Sequence, residues 1–196
     1  MQFLLIFQYP LFAHTAVLME EEQFKLLSLM LLVIGIHYRG LLAFRMSAMI
    51  STLALITGLA AVWFFGWISV LIYMLPTVIP LVLLIAFGTT LLPGRTPMVT
   101  AIALGAEGSL NAEMRHYTRS LTWLWVIVFV VLTLESVLMF LFANSVLWSW
   151  VINITNPILI GGIFVGEFVF RKIRFPDHPH PSFKDYIQIV RTARKS

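Results

Sequence analysis

The sequence predicts an all-α fold: a polytopic transmembrane helical bundle of roughly six spans, with short cytoplasmic interfacial helices. Three observations predict it. Hydrophobic residues make up 60% of the 196-residue chain and charged residues only 11%, against roughly 25% charged in a soluble domain. Apolar runs recur at the ~17–25 residues that a helix needs to cross about 30 Å of hydrocarbon. The basic residues gather beside those runs, where anionic lipid and membrane topology account for them. The net charge of +4 is therefore not a nucleic-acid signal, and no nucleic-acid partner is expected. The chain has no cysteine, which excludes disulfides, thiolate nucleophiles and Cys-ligated metals.

The first apolar run covers residues 3–19 and is interrupted by Tyr9-Pro10 and His14; at about 17 residues it is just long enough to span. No basic n-region precedes it, and Ala13-His14-Thr15-Ala16 is a poor cleavage context, so the segment is expected to be retained. Glu20, Glu21, Glu22 and Lys25 form a polar loop before the second run, 24–38. That run ends at Arg39, and a basic turn leads to Arg45. The third run, 46–65, carries Ala54 and Gly58 at a small-xxx-small spacing that lets helices approach closely. Gly66-Trp67 is an uncharged turn, and the fourth run, 68–92, contains Pro76 and Pro80.

Residues 93–120 are the longest polar segment. Thr96-Pro97 has the pattern of a cap followed by proline at the first helical position. Met98, Val99, Ile102 and Ala103 then set an apolar stripe on a short helix that lies on the membrane and ends at Gly105 and Gly108. A further helix begins near residues 109–111 and runs into the fifth span, 121–143. After Asn144-Ser145 comes the sixth span, 147–170. The transmembrane domain is thus residues 1–174, and 175–196 form a tail in which prolines break the chain. Ser182 caps a last short helix with Phe183, Tyr186, Ile187 and Val190 on one face.

The basic residues set the orientation. Arg39 and Arg45, then Arg95, Arg115 and Arg119, then the Arg171-Lys172-Ile173-Arg174 tail all fall on one side of a six-span chain. That side is expected to be cytoplasmic, with both termini inside a bacterial inner membrane.

This layout places polar groups at a common depth in the outer half of the membrane. Glu135 lies roughly 12 Å below the outer end of its helix, Asn153 and Asn156 about 9–14 Å, His14 roughly 8 Å and Pro76 roughly 12 Å. A carboxylate there costs about 2.5–3.5 kcal/mol on insertion scales, so Glu135 needs compensation. Proline gives no N–H to the carbonyl four residues back, so Pro80 frees the Pro76 carbonyl, Pro76 that of Ile72, and Pro157 that of Asn153. Two readings stand side by side. His14, Glu135, Asn153 and Asn156 form a polar pocket for a headgroup, a carrier-lipid end or a proton, or they are internal glue that fixes the bundle.

A second constellation lies at the inner face, where Arg115, Tyr117, Arg119, Glu167 and Arg171 enter the fifth and sixth spans at similar depth. Arginine forks suit an anionic headgroup or phosphate; the plainer reading is snorkelling and topology anchoring. Trp123, Trp125, Trp148 and Trp150 read as aromatic-belt anchors. Gly162 and Gly166 have the GxxxG spacing, read as packing within the bundle ahead of homodimerisation. His178 and His180 make an incomplete metal site, so neither metal nor cofactor is expected. No phosphate loop, nucleophile elbow or HExxH occurs. Catalytic residues stay unassigned; His116 is the sole cytoplasmic candidate base at a span, and a non-enzymatic role is favoured.

Tyr117-Thr118-Arg119, Thr122-Trp123-Leu124-Trp125, Trp148-Ser149, Asn153, Gly161-Gly162, Gly166-Glu167-Phe168, Phe170-Arg171, Phe175-Pro176 and Ser182-Phe183-Lys184-Asp185-Tyr186 carry a resemblance. With these motifs the chain resembles a family of small polytopic inner-membrane proteins of Gram-negative bacteria. Its genes lie in aryl-polyene-type clusters beside ketosynthases, acyl carrier proteins, an acyltransferase and an exporter. The family pattern has a basic side chain where this chain has Ala101-Ile102, and it includes neither His14 nor Glu135. The resemblance implies an accessory protein that tethers or hands over carrier-bound acyl intermediates of lipid or polyketide biosynthesis. Membrane lipids and an acyl carrier protein, ketosynthase or other biosynthetic membrane protein would be its partners. Two alternatives remain: a lipid or polyene flippase or transport component using a pocket around Glu135, and a membrane-embedded transferase.

Overall fold

The computed structural model describes residues 2–176, with side chains from residue 8 onward. Among these residues the chain is helical without strands: α1 Gln2–Leu18, α2 Glu22–Leu42, α3 Met46–Phe64, α4 Ile68–Thr90, α5 Met98–Glu107, α6 Ala112–Phe142 and α7 Ser145–Arg174. The tail helix expected after Ser182, and His178 and His180, lie outside the described residues. Five helices, α2, α3, α4, α6 and α7, are long and apolar enough to cross a membrane. Their large apolar side chains are widely exposed, for example Leu53, Ile85, Val131, Leu138 and Val165. A surface of that kind suits lipid, not water. The protein is a multi-pass membrane protein built as an all-α bundle. α1, with 17 residues, reaches ~25 Å at 1.5 Å per residue.

Several boundaries differ from the sequence reading. α2 starts inside the glutamate run, because Lys25 Nζ bonds Glu22 Oε1 at 2.9 Å and Ser69 Oγ at 2.7 Å, while Ser69 donates to the same Glu22 oxygen at 2.6 Å. Part of the expected polar loop is therefore a half-buried clamp between the first turns of α2 and α4. α2 also continues past Arg39 to Leu42, and Phe44 then turns the chain at φ +48°. The close approach of α2 to α3 falls at Gly40, where an added Cβ would lie 2.5 Å from that of Ala48. Gly58, which the spacing favoured, meets nothing within 4 Å. The same holds for Gly162 and Gly166, so no other part of the described chain packs closely on these two glycines.

The helices fall into two compact units, Met1–Thr77 with Glu135–Gly161, and Val78–Leu134 with Gly162–Ser196. The first centres on Val17, Leu29, Ile68, Ile72, Trp148 and Ile152. Here the Pro76 carbonyl, released by Pro80, accepts from Ser136 Oγ at 2.9 Å. Protein, not a wet cavity, covers it. The second has Ala103, Leu110, Met114 and Phe175 as one core, with Tyr117 packed on it, and Trp125 stacked on Phe129 and meeting Phe164 at 4.6 Å.

Trp125 and Trp148 are thus core residues, while Trp123 and Trp150 are exposed. Residues two apart on a helix point to nearly opposite faces, so only one of each pair can face lipid.

α5 is docked more firmly than an interfacial helix. Pro97 occupies the cap position itself and has no side-chain hydrogen bond to give. Thr90 Oγ1 accepts from the Met98 N–H at 2.9 Å and Thr122 Oγ1 from the Val99 N–H at 3.2 Å, while Thr100 and Thr118 share a buried hydroxyl pair at 2.8 Å. Hydroxyls from α4 and α6 therefore replace the expected Thr96 cap and satisfy the amides at the start of α5.

Candidate functional site

The second unit carries a groove between α6 and α7. α6 is started by Asn111, whose Oδ1 accepts from the Met114 N–H at 2.8 Å. One turn on, Tyr117 is held by a stacked Phe170 at 6.0 Å and an edge-on Phe175 at 5.1 Å. The ring is thereby fixed with its hydroxyl directed at α7, where it donates to Glu167 Oε1 at 2.9 Å. Arg171 Nε lies 3.2 Å from the same oxygen, and both side chains are mostly buried, 16% and 14% exposed. Arg171 is one helical turn beyond Glu167, the favourable order for such a pair. A buried carboxylate needs both a counter-charge and hydrogen-bond donors; this one has a guanidinium and a phenol.

Leu121, Leu124, Ile163, Gly166 and Phe170 continue the groove away from this trio, with Ser120 beside Tyr117. Its volume is about 310 Å³ and it is open along its length, at the small end of ligand sites, which run roughly 300–1,000 Å³. Gly166 leaves open space at the lining, since outside its own stretch of helix nothing lies within 4 Å of where a Cβ would stand. The result is an apolar trough whose polar groups sit together at the Tyr117–Glu167 end.

Of the residues expected at the inner face, Tyr117, Glu167 and Arg171 are brought together. Arg115 and Arg119 are not: Arg115 Nε donates to the Leu110 carbonyl at 3.1 Å, and Arg119 is exposed with no polar partner among the described residues. No fork of three arginines forms. Arg174 pairs instead with Glu113. His116 is exposed, and no acid orients its ring among the described residues.

In the first unit, His14 and Asn153 are brought together through a residue that sequence reasoning missed. His14 Nδ1 lies 2.9 Å from Ser149 Oγ, and Asn153 Nδ2 donates to that oxygen at 3.0 Å. The available signal was spacing: Ser149 is one helical turn before Asn153 and shares its face. Asn156 is buried, whereas Glu135 is half-buried, and neither side chain makes a hydrogen bond or ion pair among the described residues. Glu135 is therefore not linked to the His14 network; its neighbour Ser136 is the residue engaged, on the Pro76 carbonyl. Among the described residues no group of three His, Asp or Glu side chains is placed to hold a metal ion.

The fold and site define a class, a helical multi-pass membrane protein with a mostly apolar groove that carries a tyrosine–glutamate pair. No protein-family model matches the chain, and no curated protein or solved structure is significantly similar to it.

Proposed function

We propose that this is an accessory inner-membrane protein of aryl-polyene or fatty-acyl-type biosynthesis, which holds the acyl or polyene chain of a carrier-bound intermediate and hands it on. The observation that carries the reading is the groove: apolar along Leu121, Leu124, Ile163 and Gly166, with one polar end at Tyr117–Glu167. Such a site matches a hydrocarbon chain with a polar terminus. Because Glu167 is already paired with Arg171, that end is close to neutral, which suits an ester, thioester or phenol better than a phosphate.

Exposed Arg119 and Lys172 add positive potential to the same unit, of the sign that steers an acidic carrier protein. The basic stretches favour a cytoplasmic location for this end and for both termini.

The test is retention of acyl probes by the purified full chain. Native mass spectrometry is expected to show a long-chain acyl thioester or fatty acid bound, and Gly166→Leu, which fills that open space, to abolish it without loss of folded protein. Unchanged retention in Gly166→Leu would overturn the groove reading. Failure of carrier protein to bind the wild type, with acyl binding intact, would remove the hand-over step alone.

A further inference from the structure

The first unit holds a separate polar site that the groove does not use. His14, Ser149, Asn153 and Asn156 are 8%, 0%, 6% and 8% exposed, all on helices amid apolar spans. The His14 ring is fixed on two sides, by Ser149 Oγ at 2.9 Å and by Trp150, which it meets edge-on at 4.8 Å.

A serine within reach of a histidine resembles a nucleophile–base pair. Two facts exclude that use. Ser149 is sealed from any substrate, and its oxygen is engaged by both His14 and Asn153.

The pair orients hydrogens instead. Asn153 Nδ2 donates to Ser149 Oγ, which also lies 2.9 Å from His14 Nδ1. Nε2 is then the ring nitrogen left to meet a ligand. Asn153 Oδ1 remains as an acceptor, and the whole Asn156 amide is unmatched among the described residues. The helix that presents them is reshaped at this point. Val151–Thr155 form a π-helical turn in which the Asn156 N–H donates to the Val151 carbonyl, and Pro157 has no N–H for the next one. Turns of this type recur where a helix serves a bound group.

Asn156 is 8% exposed, and an unmatched primary amide on a membrane-spanning helix is strongly disfavoured unless something polar occupies the space beside it. We infer that His14, Asn153 and Asn156 bind the uncharged, hydroxyl-bearing end of a membrane amphiphile. A hydroxyl both gives and accepts hydrogen bonds, which matches one ring nitrogen, one amide acceptor and one complete amide. None of the three is a carboxylate, lysine or arginine set against an ammonium or a phosphate. This site stands whether or not the groove in the second unit binds acyl chains.

The experiment offers the purified full chain, in detergent micelles, dioleoylglycerol, oleyl alcohol and dioleoylphosphatidic acid, with bound lipid read by native mass spectrometry. The hydroxyl-bearing probes are expected to be retained about tenfold over phosphatidic acid, and preference between those two separates a membrane glycerolipid from a free alcohol as the source. Asn156→Leu is expected to lower retention about tenfold while holding or raising Tm, since removing an unmatched buried amide relieves a desolvation penalty. His14→Asn, which keeps a polar atom for Ser149 but loses Nε2, should lower retention several-fold with the fold intact. Equal retention of charged and uncharged probes, no retention at all, or unchanged retention in both variants would overturn the inference. So would a fall in Tm or loss of folded protein for Asn156→Leu, which would mark Asn156 as internal glue.

Discussion

Single polar side chains in this protein work mainly by covering what proline and helix ends leave open. Ser136 is the sharpest case. Its hydroxyl is buried and donates to a carbonyl inside α4 that has lost its own donor to Pro80. Ser136→Ala should leave that carbonyl unpaired at a cost of about 1–3 kcal/mol, seen as a lower Tm of the detergent-solubilised protein, and Ser136→Thr should restore most of it. Glu135, next in sequence, has no such partner among the described residues, so Glu135→Gln, which removes a carboxylate from a span, is expected to leave Tm unchanged or raise it. A transport function would show itself as lost activity in this variant at undiminished stability. Tyr117→Phe removes the phenolic donor from Glu167 while keeping the ring stack, and is expected to cost about 1.5–3 kcal/mol, as for a hydrogen bond to a charged acceptor. A Tm within a degree of wild type would show that Arg171 alone suffices.

At the scale of whole helices, the spans themselves were legible in the sequence, and the contacts between them were not. Length and apolarity fix where a chain can cross hydrocarbon, so α3, α4, α6 and α7 lie close to their expected runs. Spacing shows which residues share a face, but not whether another helix passes that face. Ala54 and Gly58 and Gly162 and Gly166 have the right periodicity, yet the tight crossing is at Gly40 against Ala48, where no repeat announced it. The threonines that dock α5 were equally silent, because a Thr that returns to its own helix and a Thr that caps another helix look alike in sequence. For the candidate sites, charge and depth pointed to Tyr117, Glu167 and His14, which the fold does bring against polar partners. Ser149 was overlooked because serine in a helix is usually satisfied by its own backbone. The Gly40 contact makes a definite prediction: Gly40→Val should destabilise by about 1–3 kcal/mol through overpacking. Ala48→Gly in the same chain should recover part of it, whereas Gly162→Ala should be tolerated. Equal effects at Gly40 and Gly162 on thermal melting would contradict the crossing.

For the molecule as a whole, everything placed at the inner or outer face depends on which way the helices thread the bilayer. α1 decides the count. Its 17 residues amount to ~25 Å of helix, a little less than the ~30 Å hydrocarbon thickness, and a mismatch of that size is absorbed by thinning or by flanking residues at modest cost. Its Ala13, Ala16 and Val17 face are fully packed into the first unit, as expected of a helix inserted alongside its neighbours. The absence of native cysteine makes single-cysteine labelling clean. With both termini cytoplasmic, Ala43→Cys and Thr96→Cys should react with a membrane-impermeant maleimide only after cells are opened. Glu21→Cys, Trp67→Cys and Ser145→Cys should react in intact spheroplasts. If Gln2→Cys reacts in intact spheroplasts, α1 does not cross and five spans remain, with only the N-terminus moved out. Reaction of Ala43→Cys and Thr96→Cys from opposite sides would be the damaging result: α3 and α4 would not form a returning pair, and the basic residues would no longer mark one face. Tyr117, Glu167 and Arg171 would still form their cluster, but its proposed exposure to a cytoplasmic carrier protein would have no basis.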